Sequence, residues 1–538
     1  MDFNIIAVVS ALETAVLLPK GDLFGMPAVK VWLGLALVQY IVAKTYSIFI
    51  YPHFVSPLRH LPGPKDNHFF IGQTARLMTA ASPHTLYEEW ARKWPDAPFI
   101  RQLGIANQEL LIVNNLAAQR ECLGTHGNDF VKSAFFEKMF GEIISGGLLF
   151  SKGEEHKRRR RALAGPMSLP KIRRLVPLFQ EKARAWVNSL QSELDAGGDG
   201  VWEVEPSMHK LLLEIIVVTA LGVDLAQMES PSSMSFVEAY HNLLQPSRLS
   251  MILWFMNARF PLRWLPLKIN KTWLEANSTI KSMIKGVVHR RAEELRAVDR
   301  KREVGGDLSD TRRDITTFML EESLFGRGEL SESEISNGLL ELVGAVLLTG
   351  HDTSSSTLTW TIYELAARPE MQERCRAEIL AAADDIDAGM LENLAFLDKV
   401  IKEVLRLFSP TLVSLREAAK DMVIEGVPIA KGTSIVISPA NIGRNPNVWG
   451  PDADTFDPDR WDKLEGDAAS PYAFAAFNNG PRICPGRQQG MLQIKAILCE
   501  LLRVFRLEPV DTTRRFQNPA VMLKPKGQLR VRARRLEL

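Results

Sequence analysis

The chain has 538 residues, 46% of them hydrophobic, with 65 Lys and Arg against 63 Asp and Glu. That length can bury a large core, and a net charge of +2 leaves no electrostatic footprint for nucleic acid. Four widely spaced cysteines (Cys122, Cys375, Cys484 and Cys499) form no C-x-x-C pair, which excludes a disulfide framework and points to a reducing compartment.

Two apolar pieces open the chain. Ile5 to Leu18 is short, carries Glu13 and lacks the basic start of a secretory signal peptide. Val31 to Tyr51 is long enough to span a bilayer, with Lys44 placed to snorkel and Trp32 and Tyr51 at the two interfaces. Arg59, His60 and Lys65 follow, so positive charge places the rest of the chain in the cytoplasm. Residues 1–60 are therefore expected to be a membrane anchor and hinge, and 61–538 one catalytic domain; whether the first piece also crosses stays open. Leu61-Pro62-Gly63-Pro64 is a stiff, turn-forming segment between the two.

Phe99–Leu103 and Glu109–Val113 are short apolar runs around a Gly104–Gln108 turn, so a hairpin is expected, then a helix from about Leu116. Gly153 to Arg161 opens a helix with five consecutive positive charges, part of which is a solvated face. His156 and Arg160 stand one turn apart on it. Leu211 to Leu295 reads as mostly helical, with a break at Gln245-Pro246. Met251 to Leu267 mixes Trp254, Phe255, Phe260 and Trp264 with arginines and prolines, which suits core packing and a bilayer-dipping loop about equally. Arg296 to Arg313 is charged and contains Gly305-Gly306, a surface loop.

Ser331-Glu-Ser-Glu334 is a capping box, opening a helix that runs to about Ala367, where Arg368-Pro369 stops it. Its middle is apolar nearly all round, as a buried helix requires. Inside it lies Thr349-Gly350-His351-Asp352-Thr353-Ser354. A buried acid beside a hydroxyl is costly unless it is hydrogen-bonded or has a task. Back-bonding by Thr353 with a capped or solvated Asp352 is one reading; proton delivery by the pair, with Gly350 opening the helix surface, is the other.

Further on, Glu403 and Arg406 share a helix face, in isolation a commonplace ion pair. Phe456 to Trp461 follows, with Arg460 in it, and Arg416 ends the extended Pro410–Arg416 stretch. Met422 to Pro439 reads as short strands and turns, and Phe516 to Leu529 as another hairpin, with Pro519 to Met522 candidates for a pocket wall.

Between the last two lies F-N-N-G-P-R-I-C-P-G, Phe477 to Gly486. A lone cysteine cannot build a zinc site. One thiolate does suffice to hold a haem iron from one side. Gly480 and Gly486 allow close approach, loop amides can hydrogen-bond the Cys484 sulfur, and Arg482 can meet a carboxylate such as a haem propionate. Pro485 suits the start of a helix over about Gly486–Phe505, whose positive end favours the thiolate. A structural buried cysteine is the plainer alternative.

The spacing of Phe477, Gly480, Arg482, Cys484 and Gly486 resembles the F-x-x-G-x-R-x-C-x-G haem signature of the cytochrome P450 family. Thr349 to Ser354 is similar to that family's A/G-G-x-D/E-T-T/S motif, with Thr349 at the usually small first position. Glu403 to Arg406 and Asp459-Arg460 resemble its E-x-x-R and P-E-R segments, with Asp459 for the commoner glutamate. His156 stands where the family has the tryptophan of W-x-x-x-R, and Leu61 to Pro64 resembles the hinge of microsomal members. The motifs keep the family's order over residues 61 to 490.

The resemblance implies a mainly helical fold with small sheets, and haem b between the long helix and the cysteine helix. Cys484 would be the iron ligand; Arg482, Arg416, Arg160 and His156 would reach the propionates, with Phe477 and Gly486 shaping the cysteine loop. Glu403, Arg406 and Arg460 would form a structural triad bracing that loop. Asp352 and Thr353 would supply protons while one atom of O2 enters a substrate and the other leaves as water. The electrons would come from NADPH through NADPH-cytochrome P450 reductase, with cytochrome b5 as a second candidate partner, on the endoplasmic reticulum membrane. The remaining basic residues of the Gly153 helix would offer an acidic redox partner a landing site. Phe135, Phe136, Val346, Leu412 and Val413 are candidates for an apolar pocket holding a terpenoid, polyketide, steroid or fatty acid, as in a fungal biosynthetic hydroxylase. Two rivals stand beside this reading: an isomerase or dehydratase on the same fold, and a non-enzymatic haem sensor or carrier.

Overall fold

A computed structural model describes residues 3–17, 22–23, 26–141, 147–225, 234–244, 247–258, 260, 262–302, 314–317, 320, 332–383, 386–518, 520 and 522–536. The Gln245-Pro246 break, the Gly305-Gly306 loop, Ser331, Pro519 and Val521 lie outside the described residues, as do the side chains of Glu334 and Val346.

The helix Ala28–Thr45 continues as a wide-turn helix to Val55, and together they form a 28-residue apolar span whose most apolar window is not buried in the protein. Helix Phe3–Leu17 folds back along it: Trp32 Nε1 donates to the Ala7 carbonyl at 3.1 Å and Ser10 Oγ donates to Gln39 Oε1 at 3.1 Å. The first apolar piece therefore pairs with the span as a helical hairpin, its few polar side chains satisfied between the two helices.

The Phe99–Leu103 and Glu109–Val113 hairpin forms at the expected residues, two short apolar runs joined by a turn that the Gly104 amide closes on the Gln108 carbonyl. It joins a five-stranded sheet in the order Phe99–Leu103, Glu109–Val113, Ser434–Ile437, Ser414–Ala418, Phe130–Lys132. The pairing sets Lys132 directly opposite Arg416. A second sheet combines Phe505–Pro509, Arg530–Arg535 and Val201–Glu203.

The long helix, Glu332–Ala366, ends at the Arg368-Pro369 stop as expected. Its C-terminal half, with Leu358, Trp360 and Ile362 fully buried, runs through the main core. The cysteine helix, Arg487–Val504, enters the same core through Ile494, Ile497 and Leu501. Burying such a side chain contributes roughly 1.5–3 kcal/mol, which fixes the two helices against the same body. Gly350 does not open the surface of the long helix. A Cβ there would come within 2.9 Å of Ile216 Cδ1, so the glycine lets helix Val204–Leu221 close against it.

Met251 to Leu267 divides its aromatics. Trp254 is buried and donates Nε1 to the Met139 carbonyl at 2.6 Å, whereas Phe260 and Trp264 are 58% and 76% exposed. The core reading holds for Trp254, and Phe260 and Trp264 lie on the surface.

Candidate active site: a thiol beneath a cluster of unpaired cations

The loop before the cysteine helix is held by its own backbone. Cys484 N donates to the Phe477 carbonyl at 2.8 Å, and Asn478, at φ +60°, donates Nδ2 to the Arg482 carbonyl at 3.1 Å. Gly480 has φ +65°, and a Cβ there would lie 2.0 Å from the Leu123 carbonyl oxygen, so no side chain fits. Gly486 is the residue before the helix, and its own Cβ position is 3.9 Å from Cys484 Sγ.

Cys484 is the one accessible cysteine; the other three are buried. The Gly486 and Arg487 amides favour the charged form of its sulfur. The crowding of the surrounding chain nevertheless outweighs those amides and the charge of Arg160, and pushes the thiol up. The helix end therefore favours the thiolate less than its position suggests. Binding a metal ion removes that proton, because a coordinating thiol is deprotonated.

Around the loop stand Lys132, His156, Arg160, Arg416 and Arg482. Arg160 Nη1 donates to the Ile483 carbonyl at 2.7 Å, Arg482 Nη1 to the Ser151 carbonyl at 2.9 Å, and Lys132 Nζ to Ser414 Oγ at 3.4 Å. Arg416 is buried with Nη1 unpartnered, and Arg482 Nε is buried and unpartnered too. No carboxylate among the described residues pairs with any of the five. Burial, then the charge of Arg482, lowers Arg416 to about 10; burial, Arg482, Arg160 and Arg416 lower His156 to about 4. Lys132 is likewise pushed well down by burial, Arg416 and Arg482.

Such a cluster is unfavourable unless an anion completes it. Orphaned guanidinium nitrogens match a dicarboxylate, and the accessible thiol matches an iron, so these residues fit haem b. Lys132 escaped the sequence reading; the strand register that puts it opposite Arg416 is not local information.

The expected triad forms in full. Glu403 and Arg406, both fully buried, meet at 2.7 and 2.9 Å, and Arg460 Nε donates to Glu403 Oε1 at 3.0 Å. Arg406 also donates to the carbonyls of Gly443, Ala453 and Thr455. Trp461 Nε1 donates to Glu403 Oε2 at 3.1 Å, and its ring meets Phe474 edge-on at 5.2 Å, which meets Phe477 at 6.3 Å. Those three rings connect the triad to the start of the cysteine loop. Asp459 stands outside it, paired with Arg374 at 2.8 Å.

On the long helix, Thr353 Oγ1 donates to the Thr349 carbonyl at 2.8 Å. Asp352 is neither capped nor solvated: its Oδ1 lies 3.0 Å from His209 Nε2 and 3.2 Å from Lys524 Nζ. Burial alone would raise Asp352, but Lys524, His209 and His351 together hold it below the usual carboxylate range. His209 and Lys524 were invisible as site residues in the sequence, since they come from segments far from the motif.

The pocket candidates separate. Phe135 and Phe136 are half-buried against Phe140, Trp254 and Phe255, while Leu412 is buried in the main core and Val413 packs beside Trp90 and Val436. The 516–525 hairpin is bridged at Phe516 and Pro525, and Met522 pairs with Thr411 next to Leu412.

A mainly helical body with a cysteine loop under a cation cluster defines a haem-thiolate protein. The comparisons agree. The family model for Cytochrome P450 matches residues 62–531. Cytochrome P450 monooxygenase sphH of Aspergillus fumigatus is 29% identical over 86% of this chain and 85% of its own. Cytochrome P450 monooxygenase FSL4 of Gibberella zeae is 28% identical over 87% and 85%. The solved cytochrome P450DA heme domain superposes with a TM-score of 0.71 at 21% identity, over 89% of this chain and 98% of that one. The chain belongs to the cytochrome P450 family. It is an enzyme of the P450 monooxygenase class, with fungal relatives, and its family implies haem, dioxygen, a redox partner and a small-molecule substrate.

Proposed function

We propose that this enzyme inserts one oxygen atom into a lipophilic small molecule in secondary-metabolite biosynthesis, with electrons drawn from NADPH through NADPH-cytochrome P450 reductase. The cation cluster, which no carboxylate among the described residues pairs, set around an accessible Cys484, is the observation that carries the reading. Haem b bound there supplies the dioxygen chemistry. Cys484 holds the iron, and the Gly486 and Arg487 amides temper the sulfur's donor strength. Arg416, Arg482, Arg160 and Lys132 neutralise the propionates, with His156 beside them.

Asp352 is fixed as a carboxylate by its cationic neighbours and serves as the acceptor through which protons reach the oxygen side. Thr353 breaks its bond to the Thr349 carbonyl to orient that last transfer. The apolar span of residues 28–55 anchors the catalytic domain, residues 61–538, to the cytoplasmic face of the endoplasmic reticulum membrane. The exposed Lys157, Arg158 and Arg161 offer an acidic reductase, or cytochrome b5, its contact.

Candidate lipophiles titrated into the purified ferric protein should shift its spin state, and those that do should drive NADPH-dependent oxygen uptake matched by product. Turnover of a lipid hydroperoxide with neither oxygen nor reductase would instead assign the isomerase reading.

A further inference from the structure

Asp352 is held as a carboxylate, so it cannot itself store the proton that its place beside Thr353 asks it to deliver. The store has to be a neighbour. Behind Asp352 three chain segments converge: helix Val204–Leu221 brings Glu205 and His209, helix Phe236–Leu244 brings Tyr240, and the 516–525 hairpin brings Lys524. His209 Nε2 sits 3.0 Å from Asp352 Oδ1, 3.2 Å from Glu205 Oε1 and 3.1 Å from Lys524 Nζ. Its Nδ1 is 3.1 Å from His351 Nε2, and His351 Nδ1 is 2.7 Å from the Tyr240 hydroxyl.

We propose that His209 is the proton store and relay that feeds Asp352 from the solvent side through Glu205. This rests on the proton-delivery reading of Asp352 given above. As imidazolium, His209 donates Nδ1–H to His351 Nε2, and His351 donates Nδ1–H to the Tyr240 oxygen, so the pair fixes the ring. Nε2 gives its proton to Asp352 Oδ1 and is left with a lone pair. Glu205, whose side chain is 19% exposed, takes a proton from water and returns it to Nε2. The step moves one proton inward and regenerates both groups.

Charge supports it. Among the described residues at these atoms Glu205 and Asp352 are two carboxylates and Lys524 is one cation, and a charged His209 balances those three. Burial and the Lys524 ammonium oppose that charge, but the nearby Asp352 and Glu205 carboxylates outweigh them and raise His209 above its ordinary value. His241, a further titratable neighbour, is pushed down by burial and by the charges of His209 and Lys524. A metal ion held by His209, His351 and Asp352 is disfavoured by the Lys524 ammonium at the same atoms.

The test uses the full-length haem protein. In its diamagnetic ferrous carbon monoxide form, with carbon-13-labelled histidine, one signal should titrate above the ordinary histidine value. That signal should vanish in His209→Gln and titrate lower in Glu205→Gln. With reductase and NADPH and no added substrate, oxygen reduction by His209→Gln should be about tenfold slower, with a larger solvent isotope effect and an unchanged carbon monoxide spectrum. Glu205→Gln carries the rate test where His209→Gln fails to hold haem. Native rates in Glu205→Gln or His209→Gln alongside a slow Asp352→Asn would overturn the relay alone; a native rate in Asp352→Asn would overturn the reading beneath it. Absence of any raised histidine also overturns the relay.

Discussion

Arg160 Nη1 donates to the carbonyl of Ile483 at 2.7 Å, so the basic helix grips the cysteine loop one residue before its sulfur. The same guanidinium belongs to the cluster around the cofactor position. Replacing it by methionine removes a charged hydrogen bond worth about 1.5–3 kcal/mol. Arg160→Met should therefore release haem at least tenfold faster, measured by transfer to apomyoglobin.

Arg416 should show opposite signs in the two states. Its buried, partly unpartnered charge is repelled by Arg482, so Arg416→Met should leave the haem-free melting temperature unchanged or higher. Haem affinity should fall on the order of tenfold, because an anion loses a charged donor.

His156 gives the pH dependence. Its folded value of about 4 lies below the ordinary 6.5, so folding favours the neutral ring. That contribution is complete above pH 6.5 and is lost as pH falls from 6.5 towards 4. The haem-free protein should lose thermal stability through that window, and His156→Gln should flatten the loss.

Glu403 is fully buried between two arginines. Removing one partner of such a pair leaves an uncompensated charge, at about 3–5 kcal/mol. Glu403→Ala should yield little folded haem protein in urea titration. Trp461→Phe keeps the ring contact with Phe474 and loses one hydrogen bond, so it should cost only about 1 kcal/mol.

Thr353→Ala removes only a back-bond within its helix, so haem content should not change. Its effect should appear in coupling: peroxide released per NADPH should rise severalfold, measured with a catalase-free oxygen electrode.

The sequence was most legible where structure is local. The Phe99–Val113 hairpin follows from two short apolar runs around a turn, and the cysteine loop and triad carry fixed spacing. What it hid is assembled across the chain. Lys132 reaches the cations only through strand register with Arg416, and His209 meets His351 across 142 positions and Lys524 across 315. Gly350 misled for a related reason: the neighbour that requires it, Ile216, is on another helix.

The central claim is that Cys484 is the iron ligand, and the reduced carbon monoxide spectrum tests it most directly. The native protein should show the red-shifted band of thiolate coordination, and Cys484→Ala should lose it while Cys499→Ala keeps it. A red-shifted band that survives in Cys484→Ala would contradict the account.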